Sequence, residues 1–101
     1  MKKIVLACAG GLSTSILLSK MQKEAVKENL KIEIIAIAED KLKSVINSAD
    51  CVLLGPQVGY MLEDLRSKYK SLNIPIDVID IVDYGMMDGK KVLNIALQLM
   101  N

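Results

Sequence analysis

The N-terminal part of the chain contains the segment Ile4-Val5-Leu6-Ala7-Cys8-Ala9-Gly10-Gly11-Leu12-Ser13-Thr14-Ser15. This order predicts a short apolar strand with a cysteine at its carboxyl end, then a glycine-containing turn, then a helix that begins near a cluster of hydroxyl side chains. In an open α/β sheet, ligands bind at the carboxyl ends of the strands. The N–H groups of such a turn and of the helix N-terminus form an anion site. The sequence therefore predicts a thiol in a region of positive potential.

Three more strands and several helices are predicted downstream. Short apolar runs predict strands at residues 32–37, 51–54 and 76–80, and the first of these is expected to be buried mostly on both faces. Helical spacing of apolar residues predicts helices over about residues 13–29, 40–47 and 58–70, with Ser13 or a near neighbour as the N-cap of the first. Residues 84–89 are predicted to form a loop. A closing helix is expected to carry on one face Val92, Leu93, Ala96, Leu97 and Met100.

Four repeats of strand and then helix predict a single α/β domain over residues 1–101, with a four-stranded parallel sheet covered by helices on both faces. The strands are expected to end at Cys8, about Ala38, Gly55 and about Asp80, all on one edge. Gln57, which follows Gly55, and Tyr84 are therefore candidate walls of a site around the thiol.

The composition excludes several functional classes. The 101 residues are 51% apolar but only 3% aromatic, so the core must be aliphatic. Lys and Arg total 13 against 12 Asp and Glu, which disfavours nucleic acid as a partner. The N-terminal apolar run is too short for a signal peptide, and no run approaches the roughly 18 residues that span a bilayer. We expect a soluble, cytoplasmic protein.

Cysteine and histidine usage narrows the chemistry further. The two cysteines, Cys8 and Cys51, are too few for a disulfide scaffold and lack the CxxC spacing of metal or thioredoxin-type redox sites. The chain has no histidine, which removes the commonest general base and metal ligand. No metal site is expected, and any catalysis must depend on a cysteine or a carboxylate.

Three motifs in order resemble a known family. Residues 8–15, the segment Leu53-Leu54-Gly55-Pro56-Gln57 and the pattern Tyr84-Gly85-x-x-Asp88-Gly89 are similar to those of the IIB subunits of the bacterial phosphoenolpyruvate-dependent sugar phosphotransferase system, in the lactose/cellobiose/chitobiose branch. The likeness covers essentially the whole chain. It implies the fold of the low-molecular-weight tyrosine phosphatases.

The resemblance also implies a function without a cofactor. Cys8 would accept a phosphoryl group from a phosphohistidine of a IIA protein and pass it to a sugar that enters through the membrane protein IIC, with which the chain would associate peripherally. The sugar would be a β-disaccharide such as cellobiose, chitobiose or lactose. The phosphoryl oxygens would be held by the loop residues Ala9, Gly10, Gly11, Leu12, Ser13, Thr14 and Ser15.

One departure separates the chain from the phosphatases of similar fold. Those enzymes carry an arginine six positions after the cysteine, and here that position is Thr14. The missing arginine disfavours hydrolysis and suits a carrier that protects its phosphoryl group from water. Ala9 and Gly10 replace residues that are often serine and alanine in the family, and little consequence is expected because all are small.

Each candidate residue also has a plain structural interpretation. A free thiol is only a few per cent ionised at pH 7, and a helix dipole would lower its pKa by about one unit, with loop N–H groups adding to that. Cys8 is therefore expected to be an activated nucleophile rather than an inert thiol, whereas Cys51 is expected to pack in the core. Capping and phosphoryl contact are compatible for the three hydroxyl residues 13–15. Gln57 and Tyr84 either line the site or only shape the turn and the core.

Four alternative functions have different sequence requirements. A thiol phosphatase or arsenate reductase is disfavoured by Thr14 and by the absence of histidine. A non-catalytic regulatory module would leave Cys8 without a role. Nucleotide binding is disfavoured because the loop lacks GKS or GKT, and a receiver domain because Gly55 stands where an acceptor aspartate is needed.

Overall fold

The computed structural model describes residues 1–9 and 12–101, and all of their side chains except those of residues 12 and 13. It contains one four-stranded sheet in the order β2-β1-β3-β4, in which every neighbouring pair is parallel. The strands are β1 (Lys2–Cys8), β2 (Ile32–Ala38), β3 (Cys51–Leu54) and β4 (Ile76–Val78). The predicted α/β class and the parallel four-stranded sheet are confirmed.

Five helices connect and cover the strands. They are α1 (Leu12–Lys27), α2 (Leu42–Val45), α3 (Leu62–Lys68), α4 (Ile81–Gly85) and α5 (Gly89–Leu99). Short 3-10 segments extend α2 on both sides, and another, Pro56–Met61, precedes α3 and kinks at Val58. The predicted helices over 40–47 and 58–70 are therefore present, but each is divided between α and 3-10 turns.

Successive side chains of β1 point to opposite faces of the sheet, so that the core has one layer on each face. Ile4, Leu6 and Cys8 point to the face covered by α1 and α5, while Val5 and Ala7 point to the face covered by α2 and α3. Residues 4–8 are all at most 1% exposed, because β1 is a central strand with helices on both sides. Cys8 consequently lies on the same side of the sheet as α1, α4 and α5.

The environment of strand β2 differs from the one predicted. It pairs only with β1 and forms an edge of the sheet, so that Ile34 is its only buried residue. The prediction that it is buried mostly on both faces was wrong. An apolar run shows that a strand packs against a core, but its place in the sheet depends on strand order, which the run does not encode.

The segment after β4 contains a helix that was not predicted. The strand ends at Val78, and the Asp80 carboxylate then accepts hydrogen bonds from the N–H groups of Val82 and Asp83, at 3.0 and 3.3 Å. This N-cap starts α4. Tyr84 therefore lies in a helix, and because α5 begins at Gly89 the prediction of a loop over residues 84–89 holds only for residues 86–88.

Helices α1 and α5 approach each other closely at Gly89. A Cβ atom at this position would lie 2.7 Å from the Lys20 carbonyl carbon and 2.8 Å from the Met21 nitrogen. The apolar face predicted for the closing helix is confirmed: Val92, Leu93 and Ala96 are buried beside α1. This contact sets the position of the α4–α5 pair relative to the start of α1.

Candidate functional site

Cys8 occupies the carboxyl end of β1 and is 1% exposed. Its sulfur lies beside the backbone of Gly55, which follows the neighbouring strand β3 and whose N–H donates to the Ala7 carbonyl at 2.9 Å. A Cβ at position 55 would stand 2.8 Å from the Cys8 Sγ, so only glycine fits without displacement. The two strand ends therefore meet around the thiol, as the predicted topology requires.

Thr14 and Tyr84 form a buried hydroxyl pair next to this thiol. The Thr14 Oγ1 lies 3.1 Å from the Tyr84 Oη. Thr14 is 4% exposed and Tyr84 is 7% exposed. The first turn of α1 and the short helix α4 thus bring two hydroxyl groups together, and the Thr14 side chain acts to lower the pKa of the Cys8 thiol.

Gln57 lies close to the thiol, on the side of Gly55 that faces Cys8. Its Oε1 would be 2.8 Å from a Cβ at position 55, the same hypothetical atom that would touch the Cys8 sulfur. The Gln57 residue itself is exposed. Of the two predicted site walls, Gln57 therefore stands at the solvent side of the thiol and Tyr84 at the buried side.

The other residues predicted to bind the phosphoryl group lie in different environments. Ser15 is exposed and lines an outer groove with Ile16 and Lys20, away from the buried Thr14 pair. Ala9 is exposed in a bend after β1. Helix α1 begins at Leu12, so that Ser13 lies within its first turn; the position before Leu12, where a neighbouring N-cap would stand, lies outside the described residues. Gly10 and Gly11, and the side chains of residues 12 and 13, lie outside the described part of the chain.

The ionisation of Cys8 differs from the prediction. Burial raises the pKa of the Cys8 thiol above its usual value, because desolvation disfavours the thiolate, and the negative charge of Glu39 raises it further. The hydrogen bonds with the Thr14 side chain and the Gly55 backbone act in the opposite direction but do not offset burial. The expected lowering of this pKa is therefore wrong.

Cys51 is a core residue, as predicted. It is 0% exposed and aligns with Ile4 across the β1–β3 pair, at the opposite end of the strand from Cys8. Burial, with smaller effects of the Asp77 and Asp50 charges, raises the pKa of its thiol to about 12. The two free cysteines thus occupy different environments, and only Cys8 lies at the ligand-binding edge.

Neither a metal-binding cluster nor a membrane-spanning helix is present among residues 1–9 and 12–101. No group of three or more His, Cys, Asp or Glu side chains there is arranged to hold a metal ion. None of the helices built from these residues has both the length and the apolar character needed to cross a membrane.

Sequence analysis missed one buried charge beside the site. Asp83 is 4% exposed, and its Oδ1 lies 3.1 Å from the Lys91 Nζ. The residue lies between the predicted strand 76–80 and the predicted loop 84–89, where no structure was predicted. The aspartates at 80 and 88 that cap α4 and α5 were the available signal that two helices begin here.

A protein family model and several relatives match this chain. The family model described as "PTS system, Lactose/Cellobiose specific IIB subunit" matches residues 3–95. The oligo-beta-mannoside-specific EIIB component of Bacillus subtilis (strain 168) is 45% identical over 100 residues, which cover 99% of this chain and 97% of that protein. The galactose-specific and cellobiose-specific EIIB components of Lactococcus lactis are each 44% identical over 105 residues, with the same coverage.

Solved structures share the fold. The cellobiose-specific IIB component from Borrelia burgdorferi superposes with a TM-score of 0.83 at 40% identity, covering 99% of this chain and 92% of that one. A YwlE mutant from Bacillus subtilis superposes with a TM-score of 0.57 at 13% identity, covering 99% and 94%. The second likeness concerns the fold alone, and it connects this architecture with that of the low-molecular-weight tyrosine phosphatases.

Proposed function

The chain belongs to the lactose/cellobiose-specific IIB family of the sugar phosphotransferase system, whose members are phosphoryl-transfer subunits, and on this premise we propose that Cys8 is its phosphoryl carrier. The observation that carries the proposal is the position of the buried Cys8 thiol at the carboxyl edge of the sheet, against the Gly55 backbone and near the Thr14–Tyr84 hydroxyl pair. Residues from three separate elements surround a nucleophile there, whereas Cys51 has only a core environment.

The proposed chemistry consists of two in-line displacements. The Cys8 sulfur attacks the phosphorus of a phosphohistidine on a IIA protein, so that an S–P bond forms and the P–N bond breaks. The imidazole leaves with the electron pair and takes up the thiol proton. A sugar hydroxyl then attacks phosphorus, the S–P bond breaks, and the hydroxyl proton passes to a base of the IIC protein. The loop of residues 9–15 would hold the phosphoryl oxygens, and the hydrogen bonds at the thiol would stabilise charge on sulfur in both steps.

The position of the arginine favours transfer over hydrolysis. Arg66 is the only arginine in the chain. Its Nε donates to the Ile76 carbonyl at 2.9 Å and its Nη2 lies 3.7 Å from the Asp77 Oδ1, at the start of β4 and away from the carboxyl edge. No guanidinium is therefore available to clamp a phosphate beside Cys8. This supports a carrier and disfavours a phosphatase.

Exposed apolar side chains around this edge support protein partners. Tyr60 is 81% exposed after β3, Ile81 and Met86 are 72% and 71% exposed on and after α4, and Ile16 is 48% exposed on α1. All four follow the carboxyl end of a strand. Since Cys8 is almost completely buried, a donor has to seat closely on this surface. We assign it to the IIA donor and the IIC permease, which places the working protein at the cytoplasmic face of the membrane.

The proposed final acceptor is a β-disaccharide such as cellobiose, chitobiose or lactose. Two of the relatives are named for β-linked sugars, oligo-beta-mannoside and cellobiose. The choice among such sugars would be made by the membrane partner, since the carrier needs only to present its phosphoryl group.

Intact mass spectrometry tests the carrier function. The protein is incubated with phosphoenolpyruvate, the general phosphotransfer proteins and a lactose/chitobiose-type IIA protein. Wild type and Cys51→Ser are expected to gain one phosphoryl group, and Cys8→Ser none. A folded wild type that gains no phosphoryl group from several such donors, or that hydrolyses an aryl phosphate with turnover, would contradict the proposal and favour the regulatory or phosphatase alternative.

A further inference from the structure

A groove of about 450 Å³ lies between α1, α5 and the turn that joins α4 to α5. This volume is in the range of protein ligand sites. Its walls carry four exposed lysines, three from α1 and one from the first turn of α5: Lys20, Lys23, Lys27 and Lys90. The spacing of three and four residues places the α1 lysines in one row on the helix, about 10 Å long. We call this site the lysine groove.

The lysine groove has an excess of positive charge. Two carboxylates, those of Glu24 and Asp88, stand against four ammonium groups, whereas the whole chain has only one net positive charge. The Asp88 Oδ1 is engaged in the cap of α5, where it accepts a hydrogen bond from the Lys91 N–H at 3.1 Å. Among the residues that the structure describes, none of the four groove lysines forms an ion pair. Because like charges three or four residues apart on a helix repel each other, bound carboxylates would relieve a repulsion present in the free protein.

The turn between α4 and α5 adds an apolar part to the groove. Met86 is 71% exposed there, and Met87 is half-buried against the core. Met87 adopts a left-handed φ of 53°, and the Gly89 N–H donates to its carbonyl at 2.9 Å. The chain thereby turns sharply into α5, whose close approach to α1 at Gly89 brings the two helices together along the groove. An adaptable thioether side chain is thus exposed beside the lysines.

An acidic polypeptide segment suits this combination better than other anions do. The row of lysines is longer than a single phosphate group, and the groove contains no arginine for bidentate recognition of phosphate. A flat anionic membrane would bring its head groups against Glu24 and Asp88 as well as against the lysines. A segment of about two helical turns or three extended residues spans the row and can carry both carboxylates and apolar side chains.

We propose that the lysine groove binds an acidic segment of a protein partner, whose carboxylates pair with the four lysines and whose apolar side chains pack on Met86. This interaction goes beyond the proposed function, since it requires neither Cys8 nor a phosphoryl group. Met86 also belongs to the exposed apolar surface at the carboxyl edge of the sheet. A protein seated at that edge therefore has the groove within reach.

Methyl NMR spectroscopy tests the proposal. Protein labelled with 13C at its methionine methyl groups is titrated with a synthetic peptide of glutamate and leucine, about twelve residues long, in which leucine recurs at helical spacing. The signals of Met86 and Met87 are expected to shift and to saturate, whereas those of Met61 and Met100, which do not line the groove, remain in place. A peptide with glutamine in place of glutamate is expected to cause no saturable shift.

Paired substitutions measure the contribution of the lysines. Lys23→Gln/Lys90→Gln removes one charge from each wall, and the dissociation constant of the acidic peptide is expected to rise about threefold or more, since each exposed ion pair is weak. Lys23→Arg/Lys90→Arg is expected to retain binding. The matched control, Lys43→Gln/Lys70→Gln, makes the same change in net charge at exposed positions outside the groove, and is expected to leave the dissociation constant unchanged.

Two results would overturn the proposal. One is equal weakening by the groove variant and the control variant, which would mean diffuse attraction to the net charge of the protein. The other is the absence of a saturable shift of Met86 and Met87 up to about 5 mM acidic peptide, including the case in which inorganic phosphate or phosphatidylglycerol vesicles shift these signals instead. No phosphoryl donor is present in the titration, so failure of this inference and failure of the carrier function are observed separately.

Discussion

The hydroxyl groups of Thr14 and Tyr84 lie 3.1 Å apart although the residues are separated by 70 positions in the chain. One belongs to the first turn of α1 and the other to α4, which follow the first and last strands in sequence. Both side chains are buried on the face of the sheet to which Cys8 points. The contact therefore lies on the buried side of the site and joins α1, early in the chain, to α4, late in the chain.

Thr14→Val is expected to raise the Cys8 thiol pKa further and to slow phosphoryl acceptance, because the variant keeps the shape of the side chain but cannot donate to sulfur. A hydrogen bond to a charged group contributes about 1.5–3 kcal/mol, so a rate decrease of about tenfold or more is expected. The rate of phosphoryl gain by intact mass measures it. Thr14→Ser, which keeps the hydroxyl, is the matched control, and equal rates for the valine and serine variants would contradict the role of this hydrogen bond.

Gly55→Ala is expected to disrupt the site with a small effect on the rest of the fold. The added methyl group would lie 2.8 Å from both the Cys8 Sγ and the Gln57 Oε1, and Cys8 is only 1% exposed. We expect about 1–3 kcal/mol of destabilisation in chemical unfolding, together with loss of phosphoryl acceptance.

Gly85→Ala is the matched control for that substitution. A Cβ at position 85 has no neighbouring atom within 4 Å, so this variant is expected to keep wild-type stability and phosphoryl acceptance. If both alanine variants behave alike, close packing of Gly55 against the thiol is not the cause.

Gly89→Ala is expected to lower the free energy of unfolding by about 1–3 kcal/mol through overpacking of α5 against α1. The added Cβ would meet the backbone of Lys20 and Met21 at 2.7–2.8 Å, and backbone cannot rotate out of the way as a side chain does. Urea unfolding followed by circular dichroism measures the change. An increase in stability, as alanine confers at an unrestricted helical glycine, would contradict this close approach.

The stability of the protein is expected to fall as the pH rises from about 9 towards 12 because of Cys51. Burial raises the pKa of this thiol from its ordinary value of 9.0 to about 12, so the unfolded chain loses the proton first and is favoured over that interval. The contribution is at most about 1.4 kcal/mol per pH unit. Urea unfolding of wild type and Cys51→Val at several pH values measures it. The variant is expected to become more stable relative to wild type as the pH rises. A difference independent of pH would show that Cys51 is not protected in the folded state.

Much of this architecture was predictable from local sequence patterns. Apolar periodicity identified four strands, the apolar face of α5 and the parallel topology, and Pro56 and Gly55 marked the end of β3. Cys8 was assigned to the carboxyl edge because it follows directly after a buried strand. These features are properties of short segments, and burial of an apolar face determines them with little reference to the remainder of the chain.

Local patterns were less informative where an aspartate changed the role of a segment. Residues 84–89 were predicted to form a loop, but a helix that starts at the Asp80 cap includes Tyr84 and Gly85, and Asp83 in the same helix pairs with Lys91. The edge position of β2 was missed for a related reason: its apolar residues show that it packs on a core, not how many strands flank it.

By itself, the sequence determined the order of strands and helices, the aliphatic core and the position of the thiol, since each depends on neighbours within one or two helical turns. Only the tertiary structure decided that Tyr84 contacts Thr14, that Asp83 is buried against Lys91, and that the Cys8 pKa is raised. Contacts across tens of residues depend on how helices pack, and desolvation of a thiol depends on every atom that excludes water from it. The electrostatics of the site are for that reason a property of the folded domain rather than of the loop that contains the cysteine.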